Sequence, residues 1–282
     1  MKNVIVGDDT TTKVEIGQGA PIALISGPCV IEGEDIVMEI AEKIKEVTTR
    51  LGVPWIFKSS FEKDNRGSAT GFSGIGIDEG LRILQKVKDA FEVPVTSDVH
   101  RIEQVDACAE VLDLMQVPAY LCQQTSFLLA IGEKKKPTNV KKGQFLAPEN
   151  MASAVGKLRH VGCDQVVLTE RGSCFGYNRL VSDLRCIPIM KDLGVPVVYD
   201  PTHIVRIYGV PSDDPRGGEP QFVPALTRAA VAAGCNALFI ETHTNLAAAK
   251  CDAVSMLPFE KLERLLTQVM ALQSLVREWG ED

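Results

Sequence analysis

Ionisable side chains in this sequence stand where short apolar runs end, and that position suits chemistry. Eight runs rich in Val, Ile, Leu and Phe each finish in polar or charged residues. In parallel α/β proteins, active-site residues lie at the carboxyl ends of strands. The density of these groups therefore predicts an enzyme. They are Cys29, Lys58, Ser60, Asp98, His100, Lys141, Gln144, Glu170, Arg171, Asp200, His203, Glu241 and His243.

A metal site is the first chemistry that these residues suggest. Cys29 follows the first run, His203 the seventh and Glu241 the eighth, and Asp252 lies in the loop beyond. If the runs close into a barrel, the eighth strand lies between the seventh and the first, so the four groups converge. One thiolate, one imidazole and two carboxylates suit a divalent ion such as Zn, Fe, Mn or Co. His243 is a rival ligand, and the structural alternative is a buried thiol, a hydrogen-bonded imidazole and salt-bridged acids.

Basic residues form two groups at the predicted site, which indicates that two anionic groups bind there. Lys58, Lys63 and Arg66 follow the second run, whereas Lys141 and Arg171 follow later ones. Lysine and arginine at such positions are natural ligands of phosphate and carboxylate. The alternative is that some of these residues are solvated surface cations.

Three further interpretations concern single positions near these groups. Lys142 is interpreted as a surface lysine, because adjacent strand residues face opposite ways. Asp98 and His100 lie two residues apart on one strand face, so they are candidates for proton transfer or for binding sugar hydroxyls. A structural hydrogen bond is the alternative for that pair. His160 lies on a helix before a strand, at the opposite end, and receives no role.

Eight candidate strands and the helices between them must position these groups. Helical spacing is clear after the first strand, because apolar residues recur every three or four positions from Ile36 to Leu51 and Gly52 ends the pattern. Val-Pro pairs precede the second, third and seventh strands and stop the preceding helices. The candidate strands are residues 22–28, 55–58, 95–98, 112–117, 138–141, 165–170, 197–200 and 237–241.

Near-continuous apolar strands alternating with helices predict a parallel sheet that is covered on its outer side. Eight such units in 282 residues predict an α/β protein with a (β/α)8 TIM barrel. An open doubly wound sheet is the alternative, but no glycine-rich dinucleotide motif follows the first strand. Residues 1–20 predict a short β-hairpin that closes the bottom of the barrel, which residues 21–282 form. The longest loops are residues 62–76, 172–181 and 208–221.

Composition narrows the class of partner. The formal net charge of −7 gives no general attraction to nucleic acid, so anionic substrates must meet local basic residues. No apolar run reaches the roughly 18 residues of a membrane span, and the first residues do not resemble a signal peptide. Eight scattered cysteines without a CxxC pair then indicate reduced thiols in a cytoplasmic protein.

Several segments at the strand ends form a family-specific pattern. They are Gly-Pro-Cys-Val-Ile-Glu at 27–32, Thr-Ser-Asp-Val-His at 96–100, Asn-Val-Lys-Lys-Gly-Gln-Phe at 139–145, Thr-Glu-Arg-Gly at 169–172, Asp-Pro-Thr-His at 200–203 and Phe-Ile-Glu-Thr-His at 239–243. Together these segments resemble the 3-deoxy-D-manno-octulosonate 8-phosphate synthase family along nearly all of residues 20–275. The related synthases of the aromatic pathway share the Gly-Pro-Cys segment and the acidic residue of the eighth strand, but usually carry Lys-Pro-Arg-Thr after the second strand. Here those residues are Lys-Ser-Ser-Phe at 58–61.

The resemblance implies a role for each candidate residue. A cysteine in the Gly-Pro-Cys segment marks the metal-dependent branch of the family, which supports the metal set named above. Lys58, Lys63, Asp98 and His100 correspond to catalytic positions, with the two lysines between two substrate sites. Residues that resemble the phosphoenolpyruvate site are Ser60, Lys141, Gln144 and Arg171, and residues that resemble the pentose phosphate site are Asn65, Arg66, Asp98 and His100.

The sequence departs from the family pattern mainly in loops around the acceptor sugar. Gly67 replaces a usual serine, Gln123 and Ser126 replace an arginine and an aspartate, and Arg206 replaces a common glutamine. Thr-Asn at 244–245 replaces a Pro-acidic pair, and Cys251 is more typical of the metal-independent branch. The metal and phosphoenolpyruvate residues are largely intact, so the reaction type is a firmer expectation than the identity of the aldose.

The resemblance implies a condensation of phosphoenolpyruvate with D-arabinose 5-phosphate and water, which serves lipopolysaccharide biosynthesis. One alternative is the same reaction with another aldose phosphate, such as erythrose 4-phosphate. The other is a barrel without activity that binds a sugar phosphate, but such a protein should lose metal ligands and all four are present here. Members of the family also lead us to expect a homotetramer.

Overall fold

The computed structural model describes residues 1–64, 71–210 and 214–280. In chain order, the β-strands are β1 (Val4–Val6), β2 (Val14–Ile16), β3 (Ala23–Gly27), β4 (Trp55–Lys58), β5 (Val95–Asp98), β6 (Leu114–Val117), β7 (Thr138–Lys141), β8 (Val166–Glu170), β9 (Ser173–Cys174), β10 (Leu180–Val181), β11 (Val197–Tyr199), β12 (Ala237–His243) and β13 (Leu257–Pro258). The α-helices are α1 (Glu34–Leu51), α2 (Ile77–Phe91), α3 (Val105–Val111), α4 (Thr125–Glu133), α5 (Ala152–His160), α6 (Cys186–Lys191), α7 (Pro201–Ile204), α8 (Val223–Ala232) and α9 (Leu262–Trp279).

Eight parallel strands form a closed barrel. Each of β3 to β8 pairs with its neighbour in sequence, β8 pairs with β11, and β11 pairs with β12. The barrel closes where β12 pairs with β3, with Phe239 opposite Ile25 and Glu241 opposite Gly27. This closure confirms the predicted (β/α)8 barrel and excludes the open doubly wound sheet.

The helices cover the barrel with apolar stripes that the sequence spacing predicts. In α1 the buried side chains include Val37, Ile40, Ile44 and Val47, and the helix ends at Gly52, whose φ of 67° is left-handed. Glycine adopts this conformation without the steric cost that a Cβ brings. Among the described residues, no helix combines the length and the apolar character needed to cross a membrane.

The N-terminal hairpin fills the barrel from below. Strands β1 and β2 pair antiparallel, as the predicted hairpin requires, with Val4 opposite Ile16 and Val6 opposite Val14. These four side chains are buried and pack with residues of the barrel interior, such as Ile25. The alternate residue Ile5 points outward and is 41% exposed. The alternation of buried and exposed positions is that of a strand with one face on a core.

Strand boundaries differ from the prediction where a side chain takes over a backbone hydrogen bond. Strand β6, predicted to begin at residue 112, begins at Leu114, because the carboxylate of Asp113 accepts from the backbone N–H of Val95 and pairs with Lys88. Strand β11 ends at Tyr199, because Asp200 caps α7 by accepting from the backbone N–H of His203. Strand β12 continues to His243, two residues beyond the predicted end.

The hairpin should contribute to stability through its buried face. Replacing Ile16 with Ala removes buried methyl groups and leaves a cavity, so we expect a loss of about 2–5 kcal/mol in the free energy of unfolding. The matched change Ile5→Ala, on the exposed face, should cost within about 0.5 kcal/mol. Urea unfolding followed by circular dichroism measures both. Equal losses would contradict a plugging role for the hairpin.

Candidate active site

A polar cavity opens at the carboxyl end of the barrel, where the sequence places the candidate residues. Side chains from β4, β5, β7 and the loops that follow the strands converge on it. This location agrees with the general position of active sites in such barrels. The cavity is lined by Lys58, Lys63, Asp98, His100, Gln116, Pro118, Ala119, Tyr120, Lys141, Gln144, Arg171 and His203.

The four predicted metal ligands lie together on one side of this cavity. Ligand atoms of His203, Glu241 and Asp252 lie within 4.8 Å of one another, and those of Cys29, Cys251 and Asp252 do the same. Asp252 belongs to both trios and joins them. Although these residues span the chain, barrel closure brings strand β12 beside β3 and thus brings the residues together. The sulfur, imidazole and carboxylate donors fit a borderline divalent ion.

The rival ligand His243 lies apart from these trios. It is buried, its Nδ1 accepts from the backbone N–H of Asn245, and its Nε2 lies 3.8 Å from Glu32 Oε1. Glu241, two residues earlier on the same strand, instead lies in the trio with His203 and Asp252. The geometry therefore favours Glu241 over His243 as the ligand from β12.

The imidazole of His203 is oriented as a metal ligand requires. Its Nδ1 lies 2.7 Å from Asp200 Oδ2, and its Nε2 lies on the opposite side, 3.9 Å from Glu241 Oε2. A carboxylate behind a ligating histidine fixes the ring and leaves the other nitrogen for the metal. Burial lowers the pKa of His203 against the opposing effect of Asp200. The neutral form that binds metals is therefore favoured.

The thiol of Cys29 can coordinate a divalent cation as a thiolate. Burial, and then contact with Cys251, raises the pKa of Cys29 well above its ordinary value, so the thiol is protonated in the absence of a cation. A coordinated divalent ion reverses this preference, because it stabilises the thiolate directly. Gly27 allows the approach of β3 to β4, since a Cβ there would lie 2.0 Å from the carbonyl oxygen of Lys58.

Two lysines connect the metal ligands to Asp98. Lys58 Nζ lies 2.7 Å from Glu241 Oε1, donates to the carbonyl of Cys29 at 3.0 Å and lies 3.9 Å from Asp98. Lys63 Nζ lies 3.7 Å from Asp98 and 3.8 Å from Glu241. Burial opposes ionisation of Asp98, but these two ammonium groups outweigh it and hold the pKa of Asp98 well below its ordinary value. The two lysines thus lie between Glu241 and Asp98, and their place between two substrate sites stays a prediction.

The pair Asp98 and His100 shares the cavity, as the strand spacing predicts. Ser60 Oγ donates a short hydrogen bond to Asp98, and Gln116 Nε2 donates to the other carboxylate oxygen. His100 Nε2 lies 2.9 Å from the carbonyl oxygen of Glu62. The hydroxyl of Ser60 is fully buried and held by Asp98, so Ser60 is placed behind the cavity wall and orients Asp98.

The second basic group forms the opposite side of the cavity. Lys141 Nζ lies 2.7 Å from Asp200 Oδ2 and 3.4 Å from the centroid of the Phe239 ring. Burial lowers the pKa of Lys141 although Asp200 counteracts it, so a bound anion would stabilise this ammonium further. Arg171 is buried beside it. Gln144 and Arg171 both donate to one phenol oxygen, that of Tyr208, at 2.7 Å and 2.8 Å.

The interpretation of Lys142 as a surface residue is wrong. Its side chain is 0% exposed and lies 3.5 Å from Glu170 Oε2. Its ammonium donates to the carbonyl of Gly172 at 3.1 Å and to Ser173 Oγ at 3.0 Å, while Glu170 accepts from the backbone N–H of Gly172 at 2.6 Å. Lys142 does face away from Lys141, but the loop after β8 covers it. The buried pair therefore fixes the turn that carries the neighbouring Arg171.

Some predicted residues lie outside this arrangement. Asn65, Arg66 and Gly67 lie outside the described residues. Gln123 is exposed and its carbonyl accepts from Lys157, so this departure from the family pattern lies at the surface. In contrast, Arg206 is half-buried, with its Nε 3.7 Å from Asp252 Oδ1, so this departure adjoins the metal trio.

Three residues of the site received no role from the sequence, although Asp200 is among the strand-end candidates. Asp200 bridges Lys141 and His203, Gln116 binds Asp98, and Tyr208 contacts Gln144 and Arg171. Asp200 and Gln116 lie at or near strand ends, and that position was the available signal. Tyr208 comes from a loop of 208–221, where no spacing rule predicts which side chain turns inward.

Comparisons with known proteins agree on one family. A family model described as the DAHP synthetase I family matches residues 3–278. The chain is similar to "2-dehydro-3-deoxyphosphooctonate aldolase" of Synechococcus sp., at 48% identity over 97% of this chain and 94% of that protein. Proteins of the same name from Syntrophotalea carbinolica and Desulfosudis oleivorans are 48% and 47% identical, over 94% and 99% of this chain and 95% and 98% of those proteins.

The Lys142–Glu170 pair should contribute strongly to the stability of the fold. Lys142→Met leaves a buried carboxylate without its cation, so we expect a loss of about 3–5 kcal/mol near neutral pH. Burial raises the pKa of Glu170 above its unfolded value, so protonation favours the folded state. The deficit should therefore shrink as the pH falls through that raised pKa. Urea unfolding at neutral and mildly acidic pH measures this effect.

Two controls make that prediction specific. The exposed pair between Lys43 and Glu39 offers a matched change, and Lys43→Met should cost at most about 0.5 kcal/mol. Adding Glu170→Gln to Lys142→Met should recover part of the loss, because the second change removes the unpaired charge. A loss of stability in Lys142→Met that does not depend on pH would argue against the assigned pair.

Proposed function

The chain belongs to the DAHP synthetase I family, and we propose that it condenses phosphoenolpyruvate with D-arabinose 5-phosphate and water. The products are 3-deoxy-D-manno-octulosonate 8-phosphate and phosphate, in the Kdo branch of lipopolysaccharide biosynthesis. The observation that carries this proposal is the identity of 47–48% over nearly the whole chain to proteins named 2-dehydro-3-deoxyphosphooctonate aldolase. The cavity supports it, because basic groups face one space with His203, which belongs to a metal-capable cluster.

We assign phosphoenolpyruvate to the side formed by Lys141, Gln144 and Arg171. Arginine and lysine bind phosphate and carboxylate oxygens, and both cations here are buried, where their attraction for an anion is weakly screened. As the C–O bond to phosphate breaks, negative charge grows on the leaving group, and these cations stabilise it. Asp200 holds Lys141 in place from behind. Ser60, assigned to this site by resemblance, acts in this proposal through Asp98.

We assign the aldose phosphate to the side of Lys63, Asp98 and His100. The family resemblance adds Asn65 and Arg66, which lie outside the described residues. Against the effect of burial, the ammonium groups of Lys63 and Lys58 hold the pKa of Asp98 well below its ordinary value, and hydrogen bonds fix its carboxylate, so it can accept from sugar hydroxyls. The ammonium of Lys63 faces the same space from between the two sites. C3 of phosphoenolpyruvate then attacks the aldehyde carbon, water adds at C2, and phosphate leaves.

A divalent ion, Zn, Fe, Mn or Co, would be held by Cys29, His203, Glu241 and Asp252. When bound, such an ion polarises the aldehyde oxygen or activates water. Neighbouring residues hold these proposed ligands in place, because Asp200 orients His203 and Lys58 contacts Glu241 at 2.7 Å. We further propose that the enzyme acts in the cytoplasm as a homotetramer on small-molecule substrates, with no nucleic-acid or membrane partner.

Phosphate release tests the proposed reaction. We expect the purified, chelator-treated protein to release phosphate from phosphoenolpyruvate only when arabinose 5-phosphate and Mn²⁺ or Zn²⁺ are both present. Erythrose 4-phosphate is the matched acceptor control, and product mass identifies the sugar used. Release that is indifferent to metal would refute the metal role but keep the reaction. Absence of release with either sugar would refute the proposed function.

Tyr208 should compete with phosphoenolpyruvate for Gln144 and Arg171. Tyr208→Phe removes the oxygen that now accepts from both donors, so we expect KM for phosphoenolpyruvate to fall about two- to tenfold, the worth of one hydrogen bond. The value of kcat should change little. Tyr177→Phe, in an exposed loop position, is the matched control. A rise in KM would show instead that the phenol takes part in substrate binding.

A further inference from the structure

We propose that Cys251 supplies a second sulfur to the metal centre, beside the four ligands named above. The inference rests on the metal site of the proposed function and specifies its donor set. Cys29 Sγ lies 2.9 Å from Cys251 Sγ and 3.5 Å from Asp252 Oδ2. Ligand atoms of these three residues lie within 4.8 Å of one another, which is the condition for sharing one ion.

The backbone turn at Asp252 fixes the positions of the Cys251 and Asp252 side chains. Asp252 has a φ of 48°, a left-handed conformation that aspartate adopts more readily than most residues other than glycine. The backbone N–H groups of Ser255 and Met256 both donate to the carbonyl of Asp252, at 3.0 Å and 3.3 Å, and hold this turn. Two consecutive side chains, the Cys251 thiol and the Asp252 carboxylate, thereby reach the same point.

The two sulfurs form the closed side of the centre. Cys29 and Cys251 are buried in one apolar cluster with Val30 and Met256. His203 instead lines the open cavity. Substrate oxygen atoms therefore approach from the imidazole side, while the sulfur side excludes water. Cys251 can ligate an ion there without blocking the open side.

A second sulfur changes which ion the site prefers. Thiolates favour zinc and other softer ions, whereas carboxylates and water suit Mn²⁺. With Cys29 alone the donor set is mostly oxygen and nitrogen. With Cys251 added, two of the five donors are sulfur, so the structure points to Zn²⁺ or Fe²⁺ over Mn²⁺. This preference is a property of this chain, because Cys251 departs from the pattern expected beside Cys29.

Cobalt spectroscopy on the reduced, full-length protein tests the proposal. Cobalt(II) bound to thiolate absorbs in the near ultraviolet through sulfur-to-metal charge transfer, with an intensity that follows the number of sulfurs. We expect Cys251→Ala and Cys251→Ser each to lose roughly half of the wild-type intensity, because one of two thiolates is gone. Cys29→Ala should lose a similar part. Cys235→Ala, a buried thiol near the opposite end of the barrel, should lose none.

A second measurement gives the selectivity. In competition with a chelator, Cys251→Ala should weaken Zn²⁺ binding by more than about tenfold and Mn²⁺ binding by less than about threefold. The cadmium-113 resonance of the cadmium-loaded wild type needs no variant and should lie in the range of two sulfur ligands. It keeps the proposal testable if the variants fold poorly.

Three outcomes would overturn the proposal. Full charge-transfer intensity in Cys251→Ala would show that Cys251 does not ligate. A cadmium resonance in the one-sulfur range would show the same for the wild type. A shortfall of two thiols, on titration of unfolded, metal-free protein that was isolated without reductant, would show that the two sulfurs form a disulfide instead. None of these readings depends on turnover, so they separate failure of this proposal from failure of the phosphate-release experiment.

Discussion

The ion pair between Lys58 and Glu241, 2.7 Å apart and almost completely buried, is the interaction on which the rest of the site depends. A charge removed from water is stable in a protein only with a partner of opposite sign close by. Lys58 also donates to the carbonyl of Cys29, so a single ammonium fixes two of the proposed metal ligands. Neighbouring groups, such as Asp98, keep their charge through the same compensation.

A second chain of charges connects the two halves of the cavity. Asp200 contacts Lys141, on the proposed phosphoenolpyruvate side, and His203, on the metal side, both through the same oxygen at 2.7 Å. Burial works against the ionisation of this carboxylate, but both partners hold its pKa far below the ordinary value. Binding an anion at Lys141 therefore changes the electrostatics at His203 directly. The two ends of the barrel therefore differ: the hairpin closes the lower end with apolar side chains, and paired charges line the upper end.

The sequence predicted the frame of this site well. Runs of apolar residues set the strands because both faces of a barrel strand are buried. Five of the eight predicted strand ends coincide with the observed ones, at Lys58, Asp98, Val117, Lys141 and Glu170. Strand β11 stops at Tyr199, because the next residue caps a helix. Local rules suffice here, because hydrophobic period and turn residues act over a few positions.

What the sequence alone determined is thus the barrel, the hairpin and the end of the barrel that carries chemistry. The convergence of Cys29, His203 and Glu241 followed as soon as closure was assumed. Only the tertiary structure decided that Lys142 is buried, that His243 turns toward Glu32, and that Cys251 touches Cys29. The physical reason is that these outcomes depend on loops packing over strand ends. Such contacts join residues far apart in the chain and leave no periodic trace in it.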